Sequence, residues 1–203
     1  MSISTQSNSD RVASPVARYL TWSGERGCFT YWDNEAKQNV DIEQIDFIFL
    51  DRAASISGWN DATESKIYSN LVKNVTKQKF TVKESKGNKV LAEGFYKDIK
   101  CDIFNYTTNV FVYSGGELVC LQVKKSGLAA WSSFVEETGI SSLYNSMISA
   151  TKSELNTKGR VKYYSPVFTT SDVSEEDLAT AIDLDTDSLQ PYLNQFNVDE
   201  TEA

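Results

Sequence analysis

Nine lysines crowd one stretch of this chain. Lys66, Lys73, Lys77, Lys79, Lys83, Lys86, Lys89, Lys97 and Lys100 stand against only Glu84, Glu93 and Asp98, a net of +6 within residues 66–100. Rings are interleaved with them: Tyr68, Phe80, Phe95 and Tyr96 inside the stretch, and Trp22, Phe29, Tyr31, Trp32 and Trp59 just upstream. Ammonium groups that follow a phosphate backbone, beside flat faces on which unpaired bases stack, are what single-stranded nucleic acid requires of a protein. Lysine neutralises phosphate without reading base identity, so such a surface tolerates any sequence. The bland account of the same residues is a solubilising outer face on a hairpin.

Some of these rings are assigned to the interior. Phe47, Phe49, Phe80, Phe95 and Trp131 fall on apolar stripes and are expected in the core. Phe29 and Tyr31 alternate with Cys28 and Trp32, so only one of the two sets can face inward. Trp59, flanked by Gly58 and by Asn60 and Asp61, is the best exposed ring, with Trp32 and Tyr68 as the other stacking candidates.

Charge is also partitioned along the chain. All 20 basic residues lie between Arg11 and Lys162, while ten of the 28 acids fall after Phe168 with no base among them. The body is therefore near neutral at +2, and residues 169–203 carry −10. A basic stretch followed by an acidic end suits a protein that binds a polyanion and carries its own competitor. Leu189, Tyr192, Leu193, Phe196 and Val198 are mixed into those acids, a composition typical of docking peptides. Asp183, Asp185, Asp187, Tyr192 and Phe196 are the residues assigned to partner docking.

Absences narrow the function further. The chain has no histidine, which removes His general bases, Ser-His-Asp and Cys-His catalysis and most catalytic zinc sites. Cys28, Cys101 and Cys120 are odd in number and unclustered, as in a reducing compartment, and make no closed zinc site. Gly115-Gly116 lacks the Gly-Lys-Ser/Thr of a phosphate loop, and Asp183, Asp185 and Asp187 lack the glycine of a calcium loop. The expectation is a non-enzymatic protein with no metal and no cofactor, acting in the cytoplasm. No apolar run approaches the roughly 18 residues of a membrane span.

The elements that would position these residues are mostly strands. Residues 1–17 read as a flexible leader, residues 18–168 as the folded domain and residues 169–203 as the acidic tail. Residues 27–32 and 47–50 have strand character, the latter as a buried central strand, with Gly58 marking a bulge or turn. Phe80 and Val82 oppose Lys79, Thr81 and Lys83, and Ser85-Lys86-Gly87-Asn88 turns the chain into a second strand. Phe95, Ile99 and Ile103 at spacings of four predict a short helix after Gly94. Residues 108–113 and 118–123 form a hairpin about Gly115-Gly116. Helices are expected from Ser126, with Leu128, Trp131 and Val135 as its stripe, and over residues 142–155. Residues 161–168 read as a last strand, with Pro166 marking an edge position. Ser174 with Asp177 resembles a helix cap. The class is mainly β with helical additions (α+β). This order of strands and helix fits an OB-fold-like Greek-key barrel, with a helically decorated β-sandwich as the alternative.

Several segments together, Phe29-Thr30-Tyr31-Trp32-Asp33, Phe47-Ile48-Phe49-Leu50-Asp51, Ile56-Ser57-Gly58-Trp59, Ile67-Tyr68-Ser69-Asn70 and Gly94-Phe95-Tyr96-Lys97-Asp98-Ile99-Lys100, resemble the single-stranded DNA-binding proteins of tailed bacteriophages. The likeness covers roughly residues 19–135, with the tail alike in character only. It implies a decorated OB-fold, a protein that coats single strands during replication or recombination, and recruitment of replication proteins such as a polymerase, helicase or primase through the tail. Some of that family hold a structural zinc; this chain lacks the ligands. The competing expectation is a virion structural or assembly protein whose rings pack an oligomer interface.

Overall fold

A computed structural model describes residues 12–153 and 155–196. The chain is mainly β with a few helices, and nearly all of it is organised around one long strand. That strand is β4 (Ile45–Asn60), which follows β1 (Arg18–Ser23), β2 (Cys28–Asp33) and β3 (Gln38–Ile42). Its apolar run Phe47–Leu50 is buried on both faces, as expected for a central strand. Along one side β4 pairs with β8 (Phe104–Ser114) over almost its whole length. Along the other it pairs first with β10 (Met147–Lys152) and then with β5 (Ser65–Ser69).

The remaining strands extend this spine in two directions. β9 (Glu117–Val123) continues from β8 through Gly115 and Gly116, whose φ angles of 57° and 85° form the mirror-image turn that a two-residue hairpin requires. β9 then pairs in parallel with β1, and β1 leads to β2 and β3. In the other direction β5 leads to β6 (Phe80–Glu84) and β7 (Val90–Gly94). The hydrogen-bonded order is β3-β2-β1-β9-β8-β4-β5-β6-β7, with β13 (Pro166–Ser171) joined through β10.

Three apolar clusters hold the sheet. On one face, Leu20, Phe29, Phe47, Phe49, Val110, Val112 and Leu121 pack beneath helix α1 (Ser126–Thr138), anchored by the fully buried Trp131. On the same face of the far half, Ile56, Ile67, Phe80 and Val82 form a smaller cluster. The opposite face carries Ile48, Phe111, Leu118 and Cys120, and these are covered by the C-terminal segment.

Five expectations from the sequence need correction. Residues 95–103 form turns, not a helix. They must carry the chain from β7 to β8 across four strand spacings, about 19 Å. Nine helical residues would advance only about 13 Å. Helix α2 is confined to Ile140–Leu143, and residues 147–152 become β10, because both sides of that strand find partners in β4 and β13. The last strand divides into β12 (Val161–Tyr163), paired with β11 (Asn156–Lys158), and β13, which Pro166 opens. Gly58 lies within the strand, and the irregularity falls between Phe49 and Asp51. At Gly58 a Cβ would stand 2.0 Å from the Ile103 carbonyl oxygen, so the glycine permits close backbone passage.

The fifth correction concerns the acidic end, which is helical where its composition suggests a tail. α3 (Glu175–Leu184) starts at Ser174, whose hydroxyl accepts the Asp177 amide at 3.1 Å, as the cap signal implied. A π-helical turn (Asp185–Leu189) and α4 (Gln190–Asn194) follow. Ala181, Leu189 and Leu193 are buried against the sheet. Residues 1–11 of the leader and 197–203 of the acidic end lie outside the described residues; Ala17 donates its amide to the Leu118 carbonyl. Among the described residues no helix is long and apolar enough to cross a membrane.

Candidate functional site

Strand pairing decides which of the sequence candidates share a surface. Ser57 stands opposite Tyr68, Tyr68 opposite Lys83, and Lys83 opposite Val90. Trp59 stands opposite Lys66. Partners directly across a ladder project from the same face, so Trp59, Lys66, Tyr68 and Lys83 form one patch. Trp59 and Tyr68 are diagonal neighbours in it, about 7 Å apart by ladder geometry. Their exposures of 48% and 43% leave part of each residue open to solvent. The Tyr68 hydroxyl donates to Asn88 Oδ1 at 2.5 Å, which steadies the ring against the β6–β7 turn.

This face of the sheet passes into its other half through bonded polar side chains, of which Ser55, Thr107 and Asn109 are buried. Ser57 and Thr107 hydroxyls lie 2.8 Å apart, and Asn109 Nδ2 donates to Ser55 Oγ at 2.8 Å. Gln122 Nε2 donates to Asn109 Oδ1 at 3.2 Å, and Thr21 Oγ1 donates to Gln122 Oε1 at 3.3 Å. Thr21 pairs with Thr30, two residues from Trp32 on the same strand. A polar ladder thus joins Trp59 and Tyr68 on one flank to Trp32, 55% exposed, on the other. The open choice at β2 is resolved: Phe29 points into the core, Tyr31 packs beside it, and Trp32 faces out.

The other lysines are dispersed around this patch. Lys86 and Lys89 sit at the β6–β7 turn, where Lys86 Nζ reaches the Thr63 carbonyl at 3.3 Å. Lys77 and Lys79 are exposed on the β5–β6 connection. Lys73 is paired with Asp51 and is half-buried beside the C-terminal helices. Lys97 and Lys100 lie on the turns that cover the opposite face, with Lys100 Nζ 5.5 Å from the Tyr96 ring centre. Those two cannot share a strand path confined to the Trp59 face.

The acidic segment occupies the same sheet face, over the first half of β4. Tyr192 packs on the cluster beneath it and meets Phe196 edge-on at 5.4 Å, so both rings are partly used within the chain. Gln190 Nε2 donates to Asp51 Oδ2 at 3.1 Å and to Asp185 Oδ1 at 2.9 Å, and Gln78 Nε2 donates to the Phe196 carbonyl at 2.9 Å. Burial raises the Asp185 pKa and Asp51 adds to the rise, while the Gln190 bond and Lys73 oppose it. Asp183 and Asp187 remain exposed.

Sequence reasoning missed a second basic cluster. Lys124 and Lys125, and Lys158 and Lys162 about Arg160, form two short basic runs outside residues 66–100, and nothing local to either run shows that they meet. The fold gathers them around a cavity of about 720 Å³. Among the described residues no group of three or more Cys, Asp or Glu side chains is placed to hold a metal. Comparison with family models, with curated proteins and with solved structures finds no match for this chain.

Proposed function

We propose that this chain is a sequence-tolerant single-stranded DNA-binding protein, with Trp59 and Tyr68 stacking on bases and Lys66 and Lys83 meeting the flanking phosphates. The observation that carries this reading is the sharing of one open sheet face by two exposed rings and two lysines, set by strand register alone. Lys77, Lys79, Lys86 and Lys89 extend the positive field around it, and Trp32 continues the same face. A strand laid over the face would stack without base readout, each base contributing about 1–3 kcal/mol.

The finer fold reading belongs to the same proposal. A parallel ladder between β1 and β9, flanked by antiparallel ones, is a non-sequential pairing compatible with an OB-like Greek-key barrel in the half that holds α1. The acidic helices, on the same sheet face and contacting Lys73 through Asp51, supply a local competitor for the strand, and exposed Asp183 and Asp187 offer charge to a replication or recombination partner. Phage-type DNA replication in a bacterial cytoplasm is the setting that suits these parts.

Titration of the full chain with oligo-dT at several salt concentrations tests the reading. The expected log–log slope is about −0.7 for each phosphate contacted. Equal affinity for single-stranded and duplex probes, or an affinity indifferent to salt, would remove it.

A further inference from the structure

We propose that the cavity between the N-terminal end of α1 and the β11–β12 hairpin is a second anion site, independent of the Trp59 face, that takes the phosphate groups of a nucleotide-sized ligand. Three separate segments build it: Ser23, Gly24 and Glu25 from the β1–β2 turn, Lys124 and Lys125 before α1, and Lys158, Val161, Lys162 and Tyr163 from the hairpin. Its volume of about 720 Å³ falls within the range of small-molecule and cofactor sites, about 300–1,000 Å³.

Among the described residues four ammonium groups line this cavity against one acid, Glu25, and none of the four forms an ion pair with a described residue. Elsewhere in the chain Arg18, Arg26 and Lys73 each have a carboxylate partner. Lys124 is half-buried, and its ammonium is destabilised first by that burial and then by Lys125 next to it. A desolvated cation beside a like charge is an unfavourable arrangement unless an anion completes it. The walls fit more than a bare phosphate. Tyr163 and Val161, the latter 64% exposed, give an apolar surface beside the charges, and Trp22 closes the floor through its Nε1–H bond to the Tyr164 carbonyl at 3.1 Å. Arg160, exposed at the hairpin tip, adds a further positive charge to the hairpin.

A phosphate-bearing ligand reaches this site either as part of a strand or as a free nucleotide. The full chain and a Lys124→Gln, Lys158→Gln, Lys162→Gln variant would each be titrated with oligo-dT and, separately, with adenosine triphosphate. Loss of about tenfold or more in oligonucleotide affinity, with the salt slope reduced by about 2, assigns the site to a strand. A comparable loss for adenosine triphosphate alone assigns it to a free nucleotide. Unchanged affinity for both ligands, or no binding of either by the parent chain, overturns the site. Lys158→Gln alone, on the exposed hairpin, repeats the test with the α1 end intact. Replacing Trp59 and Tyr68 by alanine in parallel separates the two sites: failure there with loss here removes the sheet-face reading and leaves this one standing.

Discussion

One face of the sheet is treated differently in its two halves. Over β8 and β9 it presents Phe111, Tyr113, Leu118 and Cys120, which the C-terminal helices seal with Ala181, Leu189 and Leu193. Over β4, β5 and β6 it presents Trp59, Lys66 and Tyr68, which stay open to solvent, and a half-buried Lys83. Between them lies the ladder of Ser55, Ser57, Thr107, Asn109 and Gln122, polar but bonded internally. The sealed half lacks exposed cations among these residues, and no element among the described residues covers the rings of the open half. Burial here depends on what a later segment of chain brings to each half. Rings left uncovered beside lysines are then available for a ligand.

The largest effect should come from unsealing the first half. Ending the chain after Ser171 would uncover Phe111 and Leu118 and remove Leu189 and Leu193, each worth about 1.5–3 kcal/mol of burial. A loss of about 5 kcal/mol in unfolding free energy by denaturant titration is expected, with exposed apolar surface binding a dye. Such a truncation is therefore a poor probe of self-competition. Asp183→Asn with Asp187→Asn changes exposed charge while leaving the packing in place, and should tighten oligo-dT binding at low salt. A truncated chain as stable as the parent would show that the two halves do not differ in the way described.

Breaking the open half requires a different residue. Gly58→Ala would drive a methyl group into the Ile103 carbonyl, a backbone atom that cannot swing aside. The expected cost is about 3 kcal/mol or more, with hydrogen-exchange protection lost first in β5–β7 while the Trp131 core stays protected. Even loss across both halves would mean that β4 and β8 unfold as one unit and that the halves are not separable in stability.

How much of this could be read from the chain depends on which residue partners were local. The hairpins about Gly115-Gly116 and Ser85–Asn88, the Trp131 stripe and the Ser174 cap are written within a few neighbours, and each is found in place. Residues 147–152 could not be read as β10, since Leu143 and Met147, and Ile148 and Leu155, keep helical spacings while Ile148 and Ala150 equally keep an alternating one. Only β4 and β13 on either side decide between them. The candidate patch was legible as composition but not as geometry. Lys66 and Lys83 join the rings through strand register, whereas Lys97 and Lys100, equally basic in sequence, end on the other side. The cavity lysines come from two short basic runs, at residues 124–125 and 158–162, and nothing local to either run shows that they meet.

Removing the rings sharpens the comparison at smaller energy. Trp59→Ala and Tyr68→Ala should each weaken oligo-dT binding by about tenfold, the range of one lost stacking contact. Phe111→Leu, under the helices, should lower stability without changing binding of the folded chain. Fluorescence titration of all three variants at one salt concentration makes the contrast. Equal binding losses at Phe111 and Trp59 would mean that the open half has no special part in recognition.

The smallest expected effect lies at the seam between the halves, at Asp185. Its carboxyl pKa is raised in the folded chain by burial, with Asp51 adding to the rise. The native state therefore holds this proton more tightly than the unfolded chain does. The associated stabilisation is fully present below the unfolded pKa and is lost as pH rises through the folded one. At neutral pH the ionised carboxylate opposes the docking of α4, although Gln190 and Lys73 offset part of the cost. Asp185→Asn keeps an oxygen to accept the Gln190 amide and removes the charge. Its melting temperature should rise slightly above the parent's at pH 7, and the difference should vanish at pH 3. A variant less stable than the parent at pH 7 would mean that attraction to Lys73 outweighs burial, and that charge pairing is what holds the acidic helices to the sheet.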